Sequence, residues 1–294
     1  MAAKIIDGKE IAQQIRTELA EEVKRMKSRG VVPGLGVILV GEDPASRSYV
    51  MAKEKACHEI GIFSDDNHLP ASTSRDELLA LVRRMNADPK INGILVQLPL
   101  PKGIDESEVL MAIHPDKDVD GFHPLNVGRM VLGEKAFMPC TPHGVVQMLC
   151  RSGVKIDGAH VVIVGRSNIV GKPLANMLMQ KSPSGNATVT VCHTRTRDIA
   201  KHTRQADIVI AAAGRPNTIT ADMIREGAVV IDVGVNRVED ATRKQGFRLV
   251  GDVDFEAVGQ KASLITPVPG GVGPMTITML LHNTVESARI AHNL

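Results

Sequence analysis

Residues 161–173 read Val-Val-Ile-Val-Gly-Arg-Ser-Asn-Ile-Val-Gly-Lys-Pro, and this stretch decides the fold of its half of the chain. The aliphatic run predicts a buried strand, and a helix is expected from about Lys172 because Pro173 suits a first helical turn. A strand that enters a helix through a glycine turn directs backbone amides at an anionic phosphate. The stretch therefore predicts a nucleotide-binding α/β domain, although a plain connection that needs glycines only for packing has the same pattern.

Two common phosphate-binding motifs do not fit this loop. The dinucleotide motif Gly-x-Gly-x-x-Gly has Ser167 where its second glycine belongs. A Walker loop has four residues between its glycines, whereas five separate Gly165 from Gly171. It also requires Ser or Thr after the lysine, where this chain has proline. ATP cleavage by a P-loop is therefore disfavoured.

The end of the next strand distinguishes NAD from NADP. NAD-specific domains place an acidic residue there, close to the adenosine ribose. Residues 192–196 (Cys-His-Thr-Arg-Thr) include no Asp or Glu but offer Arg195, and Arg166 lies in the glycine loop. Because cations and hydroxyls suit a 2′-phosphate, the sequence favours NADP. A solvated surface arginine at position 195 would leave the same pattern.

Strand and helix patterns alternate along both halves of the chain. In the first half the predicted elements are helix 8–29, strand 34–40, helix 46–60, strand 62–69, helix 75–86 and strand 91–98. The character of the sequence changes over residues 116–142, where 117–124 have turn composition and little periodicity, and a linking helix follows at about 141–151. In the second half the predicted elements are strands 160–164, 188–192, 207–212, 229–233 and 263–266, helices 172–179 and 221–226, and a long helix at about 275–293. This order predicts two α/β domains with parallel sheets.

Composition excludes several classes of protein. The chain has 294 residues, of which 43% are hydrophobic and 23% charged, which is ordinary for a globular protein with two domains. A net charge of +2, one Tyr and no Trp disfavour nucleic acid as a partner. The four cysteines are scattered without a Cys-x-x-Cys pair, so we expect no disulfide, no metal site and a reducing compartment. We find no signal or membrane-spanning segment, so we expect a cytoplasmic protein without a membrane partner.

Candidate catalytic groups lie in the first half. Tyr49 and Lys53 share one face of a predicted helix with Ser46, and several hydride-transfer enzymes use such a Tyr-x-x-x-Lys pair. Gln97 follows a predicted buried strand, at the end where α/β enzymes place ligands. Asp120 lies in a segment of turn residues. Each residue also has a simple structural explanation. The Tyr49–Lys53 spacing can arise by chance with a solvated lysine, Gln97 can be a capping amide, and Asp120 can be a turn former.

A stiff loop precedes the long helix near the end of the sequence. Residues 267–274 contain three prolines and three glycines, more than a simple connection needs. We expect its backbone to approach a flat ligand closely.

Five segments together resemble one family, the bifunctional methylenetetrahydrofolate dehydrogenase/methenyltetrahydrofolate cyclohydrolases. The segments are, in order, 49–53, 96–101, 118–121, 165–173 and 269–276. The resemblance implies an oxidoreductase and hydrolase of one-carbon metabolism that serves purine biosynthesis. It would oxidise 5,10-methylenetetrahydrofolate to the methenyl form with NADP and hydrolyse that product to 10-formyltetrahydrofolate, both in one cleft between the domains.

The resemblance also implies residue roles and an assembly. Lys53 would be catalytic, assisted by Tyr49 and Gln97, and Asp120 would hold the pterin ring. Further folate contacts would be Leu98, Pro99, Gly271 and Pro274. Cofactor contacts would be Gly165, Arg166, Ser167, Thr194 and Val235, to which the strand-end argument adds Arg195. The family implies a homodimer and two domains: residues 1–141, completed by the final helix at 276–294, and a Rossmann-like NADP-binding domain at 142–275.

Three alternatives remain at this stage. An amino-acid or shikimate dehydrogenase would share the two-domain layout, but it leaves the proline-flanked segment 97–101 unexplained. A nucleotide-sensing protein without catalysis would not need the candidate catalytic residues. A family member with only one of the two activities would have the same motifs.

Overall fold

The computed structural model describes residues 2–243 and 246–294. The strands are β1 (Lys4–Ile5), β2 (Gly34–Val40), β3 (Phe63–Leu69), β4 (Gly93–Val96), β5 (His160–Val164), β6 (Thr188–Cys192), β7 (Ile208–Ala211), β8 (Val229–Asp232), β9 (Asn236–Glu239), β10 (Phe247–Val250) and β11 (Leu264–Ile265). The helices are α1 (Gly8–Ser28), α2 (Pro44–Ile60), α3 (Arg75–Ala87), α4 (Glu106–Ala112), α5 (Pro124–Leu132), α6 (Cys140–Arg151), α7 (Gly171–Met179), α8 (Ile199–Thr203), α9 (Phe255–Gly259) and α10 (Val272–Ala291). None of these helices is long and apolar enough to cross a membrane.

The chain divides into two compact units. The first unit comprises Gln13–Cys140 and Ile277–Leu294, and the second comprises Met1–Ala12 and Thr141–Thr276. The prediction placed residues 1–12 with the first half, but the structure places them in the second unit, because β1 pairs in parallel with β11. Two paired residues are too few to leave a periodic pattern in the sequence.

The first unit contains a parallel sheet in the order β3-β2-β4. β2 is central and completely buried, as its aliphatic sequence requires, whereas the edge strand β3 carries half-exposed polar side chains. Helices α3 and α4 cover the sheet with a core that includes Ile38, Leu78, Val82, Ile94 and Val109.

The second unit contains a parallel six-stranded sheet in the order β1-β11-β8-β7-β5-β6. From β5 the chain passes to β6 on one side and then to β7 on the other. The carboxyl end of β5 is therefore a point where strand order reverses, which is where open α/β sheets bind ligands. A separate antiparallel hairpin, β9 and β10, follows β8. The predicted α/β class with parallel sheets is confirmed.

Two local predictions were wrong. Residues 124–132 form α5, where no helix was predicted, and the short helix has clear end signals. The His123 side chain accepts a hydrogen bond from the first turn, Pro124 begins the helix, and Gly133 ends it with a φ of 75°. The predicted helix at 221–226 is only a 3₁₀ turn at 221–223.

Candidate active site

Helix α2 carries the candidate lysine of the first unit. Asp43 accepts a hydrogen bond from the Ser46 backbone N–H at 2.8 Å, Pro44 begins the helix, and Gly61 ends it in the left-handed conformation. Ser46 and Val50 are buried, and Lys53 is half-buried one turn further along. The helix therefore directs the Lys53 stem along the protein interior.

Lys53 and Gln97 are hydrogen-bonded. The Lys53 ammonium donates to Gln97 Oε1 at 2.9 Å, and Gln97 Nε2 donates to the Leu98 carbonyl at 2.8 Å. The Gln97 backbone N–H donates to the Ile38 carbonyl at 2.8 Å, which continues the pairing of β4 with β2. These contacts orient the Gln97 amide with its oxygen toward the lysine. The peptide bond between Leu98 and Pro99 is cis; Leu98 is half-buried and Pro99 exposed.

Asp120 completes a polar cluster with these two residues. It is half-buried, its charge acts on Lys53, and the buried Cys140 thiol lies within hydrogen-bonding reach of its carboxyl. The thiol also donates to the Val119 carbonyl at 3.3 Å. Sequence reasoning did not identify Cys140, because nothing in its local sequence indicates contact with residue 120.

Burial favours the neutral forms of all three titratable groups in this cluster. It lowers the pKa of Lys53 below its ordinary value, and the charge of Asp120 opposes this shift. Burial raises the pKa of Asp120, while Lys53 opposes that rise. Burial also raises the pKa of Cys140 well above 9, so this thiol stays protonated. A lysine with a lowered pKa and a carboxyl group with a raised pKa are suited to proton transfer.

Asn283 on α10 fixes the backbone next to Asp120. Its Nδ2 donates to the Val119 carbonyl at 2.8 Å and to the Met138 carbonyl at 2.9 Å. The prediction did not include Asn283. A signal was available, because Asn283 is a polar residue among buried apolar neighbours in α10, and buried polar groups are normally hydrogen-bonded.

Asp118 and Tyr49 have different surroundings. The Asp118 carboxyl is buried and accepts hydrogen bonds from the His123 backbone N–H at 2.8 Å and from Asn126 Nδ2 at 2.9 Å. Burial raises the pKa of Asp118 to about 6. Asp118 therefore shapes the turn that leads to α5. Tyr49, by contrast, is 49% exposed on α2.

In the second unit, the glycines of the 165–171 loop leave no room for side chains. Gly165 follows β5 with a φ of +141°, and a Cβ there would lie 2.1 Å from the Ala212 carbonyl oxygen. A Cβ at Gly171 would lie 2.2 Å from the Gly165 carbonyl oxygen. The turn between β5 and α7 therefore requires glycine at both ends, and it brings bare backbone to the carboxyl end of the sheet.

The other predicted cofactor residues are accessible. Ser167 Oγ accepts hydrogen bonds from the backbone N–H groups of Val170 at 3.1 Å and Gly171 at 3.4 Å, so it stabilises the turn that leads into α7. Arg166, Thr194 and Arg195 are exposed, and Val235 is 50% exposed. Exposed cations and hydroxyls next to a glycine turn suit a phosphorylated cofactor.

The proline-rich loop before α10 packs closely against the start of α1. A Cβ at Gly8 would lie 1.8 Å from the Gly271 carbonyl oxygen, and one at Gly271 would lie 2.5 Å from the Pro267 carbonyl oxygen. Gly271 is buried and Pro274 half-buried. Both belong to the second unit, whereas Lys53, Gln97 and Asp120 belong to the first.

Comparison with known proteins covers both units. Residues 6–120 match the catalytic domain of tetrahydrofolate dehydrogenase/cyclohydrolase, and residues 139–292 match its NAD(P)-binding domain. The bifunctional protein FolD of Syntrophus aciditrophicus (strain SB) is 60% identical over 100% of both chains.

Two solved structures are similar over their full length. The bifunctional enzyme FolD, a methylenetetrahydrofolate dehydrogenase/cyclohydrolase from Campylobacter jejuni, is 50% identical with a TM-score of 0.93, covering 100% of both chains. The Trypanosoma brucei enzyme, solved with NADP and an inhibitor, is 41% identical with a TM-score of 0.94 over 100% of both chains. From these matches and the geometry above, the chain belongs to the tetrahydrofolate dehydrogenase/cyclohydrolase family.

Proposed function

We propose that Lys53, Gln97 and Asp120 carry the chemistry of this bifunctional enzyme. The chain oxidises 5,10-methylenetetrahydrofolate to the methenyl form with NADP and hydrolyses that form to 10-formyltetrahydrofolate. The observation that supports the residue assignment is the Lys53–Gln97 hydrogen bond of 2.9 Å beside a carboxyl group whose charge acts on the lysine.

The loop at 165–171 fits NADP. Bare glycine backbone, the Ser167 hydroxyl and the exposed Arg166 would hold its phosphates, while Thr194 and Arg195 would contact the 2′-phosphate. When bound, NADP accepts the hydride. Val235 would provide an apolar contact to the cofactor.

The dehydrogenase step needs positioning more than proton transfer. The reacting methylene carbon lies between two nitrogens, which directly stabilise the cation that remains after hydride loss. Asp120, together with Leu98 and Pro99, would hold the folate. A folate held in a reactive orientation reacts faster without any acid or base.

The cyclohydrolase step needs proton transfer. Water must lose a proton as it adds to the methenyl carbon, and a ring nitrogen must gain one as its bond to that carbon breaks. Lys53 is suited to this exchange, because burial lowers its pKa and Gln97 fixes its position. Tyr49, four residues earlier on α2, would assist at the exposed side.

A spectroscopic assay tests the function and the cofactor preference together. Purified protein is mixed with 5,10-methylenetetrahydrofolate and either NADP or NAD, and formation and decay of the methenyl compound are followed. We expect formation with NADP and subsequent decay. A preference for NAD would contradict the roles given to Arg166 and Arg195, and persistence of the methenyl compound would identify an enzyme with dehydrogenase activity alone.

We also propose that the enzyme is a cytoplasmic homodimer. Membership of the family supports the dimer. The edge strand β3 is paired only with β2 in the part of the chain that is described, so its outer backbone groups offer a surface to a second copy. Analytical ultracentrifugation should give twice the monomer mass of 31.6 kDa, and a monomer at micromolar concentration would contradict the proposal.

A further inference from the structure

A buried carboxylate in the second unit holds the loop that follows β7. Asp252 has no exposed surface and accepts four hydrogen bonds. Its Oδ2 accepts from the backbone N–H groups of Ala213 at 2.6 Å and Gly214 at 2.8 Å. Its Oδ1 accepts from the Arg215 backbone N–H and from Asn236 Nδ2, both at 2.9 Å. Four donors match the lone pairs of an ionised carboxylate, and such charge-assisted bonds are strong.

The loop held by Asp252 adjoins the glycine loop. The Ala212 backbone N–H donates to the Val164 carbonyl at 2.8 Å, at the end of β5. The Ala212 carbonyl oxygen is the atom that a Cβ at Gly165 would meet at 2.1 Å. Residues 213–215 follow directly, so a shift of this loop would move the backbone that packs against Gly165.

A second carboxylate supports the first. Asp232 is buried and accepts hydrogen bonds from the backbone N–H groups of Asp252 at 2.9 Å, Val253 at 3.0 Å and Gly234 at 3.0 Å. Burial, with a smaller contribution from the charge of Asp252, raises the pKa of Asp232 to about 6. A Cβ at Gly251 would lie 1.8 Å from Asp232 Oδ2. A Cβ at Gly234 would likewise lie 2.1 Å from Asp252 Oδ1, so the backbone packs tightly around both carboxylates.

We infer that Asp252 is a positioning residue for the dehydrogenase reaction, which holds residues 213–215, next to Ala212, so that the glycine loop at Gly165 can receive NADP. The inference rests on the proposed binding of NADP at that loop. Asp252 acts through its neighbours, because it has no exposed surface with which to contact a ligand. Hydrolysis of the methenyl form uses no nicotinamide cofactor, so the cyclohydrolase activity reports separately on the rest of the protein.

The test is Asp252→Asn, which keeps the size and shape of the side chain but replaces one carboxylate oxygen by an NH₂ group. Because both oxygens accept from loop N–H groups, the NH₂ group faces at least one N–H that it cannot accept from. Loss of a bond to a charged acceptor should raise the KM for NADP by about tenfold or more. Stabilisation of the variant by added NADP in a thermal melt should fall accordingly. Cyclohydrolase activity on the methenyl substrate should stay within about twofold of the original value.

Two other variants make the result decisive. Asp254→Asn is the matched control, because this carboxylate caps α9 through the Ala257 N–H at 3.4 Å; it should leave the KM for NADP unchanged. Gly165→Ala tests the cofactor loop itself. If Gly165→Ala raises the KM for NADP and Asp252→Asn does not, the inference falls and the proposed function stands. If neither variant raises it, the proposed NADP site falls as well.

Asn236→Ala is the alternative variant if Asp252→Asn does not fold. It removes one of the four donors to Asp252 and leaves the three loop amides in place. It should raise the KM for NADP by a smaller factor, about threefold, with the cyclohydrolase activity retained. An unchanged KM, or an equal loss of both activities, would overturn the inference.

Discussion

Replacing Lys53 by methionine should separate the two activities. Methionine is unbranched and of similar length, so it can fill the same space without the ammonium group. The change removes the hydrogen bond of 2.9 Å to Gln97 Oε1 and the positive charge that acts on Asp120. General acid–base catalysis contributes about 100- to 10,000-fold, so cyclohydrolase activity should fall within that range.

The dehydrogenase activity should fall much less. Lys53 donates a hydrogen bond to the Gln97 side chain, and loss of its positioning effect is worth about 1–2 kcal/mol, or about 5- to 30-fold. The two rates are measured on separate substrates, hydrolysis from the methenyl form and oxidation from the methylene form with NADP.

The matched control is Lys55→Met on the same helix. The Lys55 side chain is 80% exposed, and its ammonium lies 3.9 Å from the Glu59 carboxylate. Because exposed ion pairs contribute little, this variant should keep both activities within about twofold. A selective loss of dehydrogenase in Lys53→Met, or equal losses of both activities, would refute the role assigned to this lysine.

Three further predictions concern other parts of the protein. Gly165→Ala places a methyl group 2.1 Å from the Ala212 carbonyl oxygen, so it should weaken NADP binding by about tenfold or more in a titration while hydrolysis persists. Asn283→Leu removes the amide donor from the Met138 carbonyl and leaves the Val119 carbonyl only the Cys140 thiol, so it should lower the free energy of unfolding by about 1–3 kcal/mol and reduce cyclohydrolase activity. Burial raises the pKa of Asp118 to about 6, so the stability that this group contributes is complete below about pH 4 and is lost as the pH rises through 6. The stability gap between the original protein and Asp118→Asn should therefore shrink by up to about 3 kcal/mol between pH 4 and pH 7 in denaturant titrations.

Each of these has a contrary outcome. Gly128→Ala is the control for the glycine variant, because a Cβ there meets no atom within 4 Å; equal effects of the two substitutions would count against a cofactor loop. Full cyclohydrolase activity in Asn283→Leu would show that the backbone beside Asp120 holds its position without the amide. A gap that stays constant or widens with pH would contradict a raised pKa for Asp118.

The sequence predicted features that depend on neighbours in the chain. The aliphatic run before Gly165 identifies a buried strand, and the glycines with Pro173 identify the turn into α7, because each residue type has a local conformational preference. Even so, helix α5 was not predicted: it is only nine residues long and lies in a stretch rich in turn residues.

Contacts between distant residues needed the structure. Lys53 and Gln97 are 44 residues apart in the sequence. They meet because α2, which carries Lys53, follows β2, while Gln97 follows β4, and β2 and β4 are neighbours in one sheet. The contacts of Asn283 and Asp252 are likewise made with residues far away or in another element, and a hydrogen bond of that kind leaves no periodic pattern. Sequence identified the residue types that the chemistry needs, whereas the structure identified the groups that hold them.

The division of the chain into two units has a consequence for the order of folding. The first unit needs α10, since Asn283 and Ser287 supply hydrogen bonds to the Val119 carbonyl at 2.8 Å and the Asn92 carbonyl at 2.6 Å. A ribosome makes α10 only after it has made β5 through β11. Folding during synthesis generally proceeds from the N-terminus. Residues 13–140, however, cannot complete their unit until more than a hundred further residues have been synthesised. During that interval the apolar surface that α10 later covers is open to chaperones and to other unfinished chains.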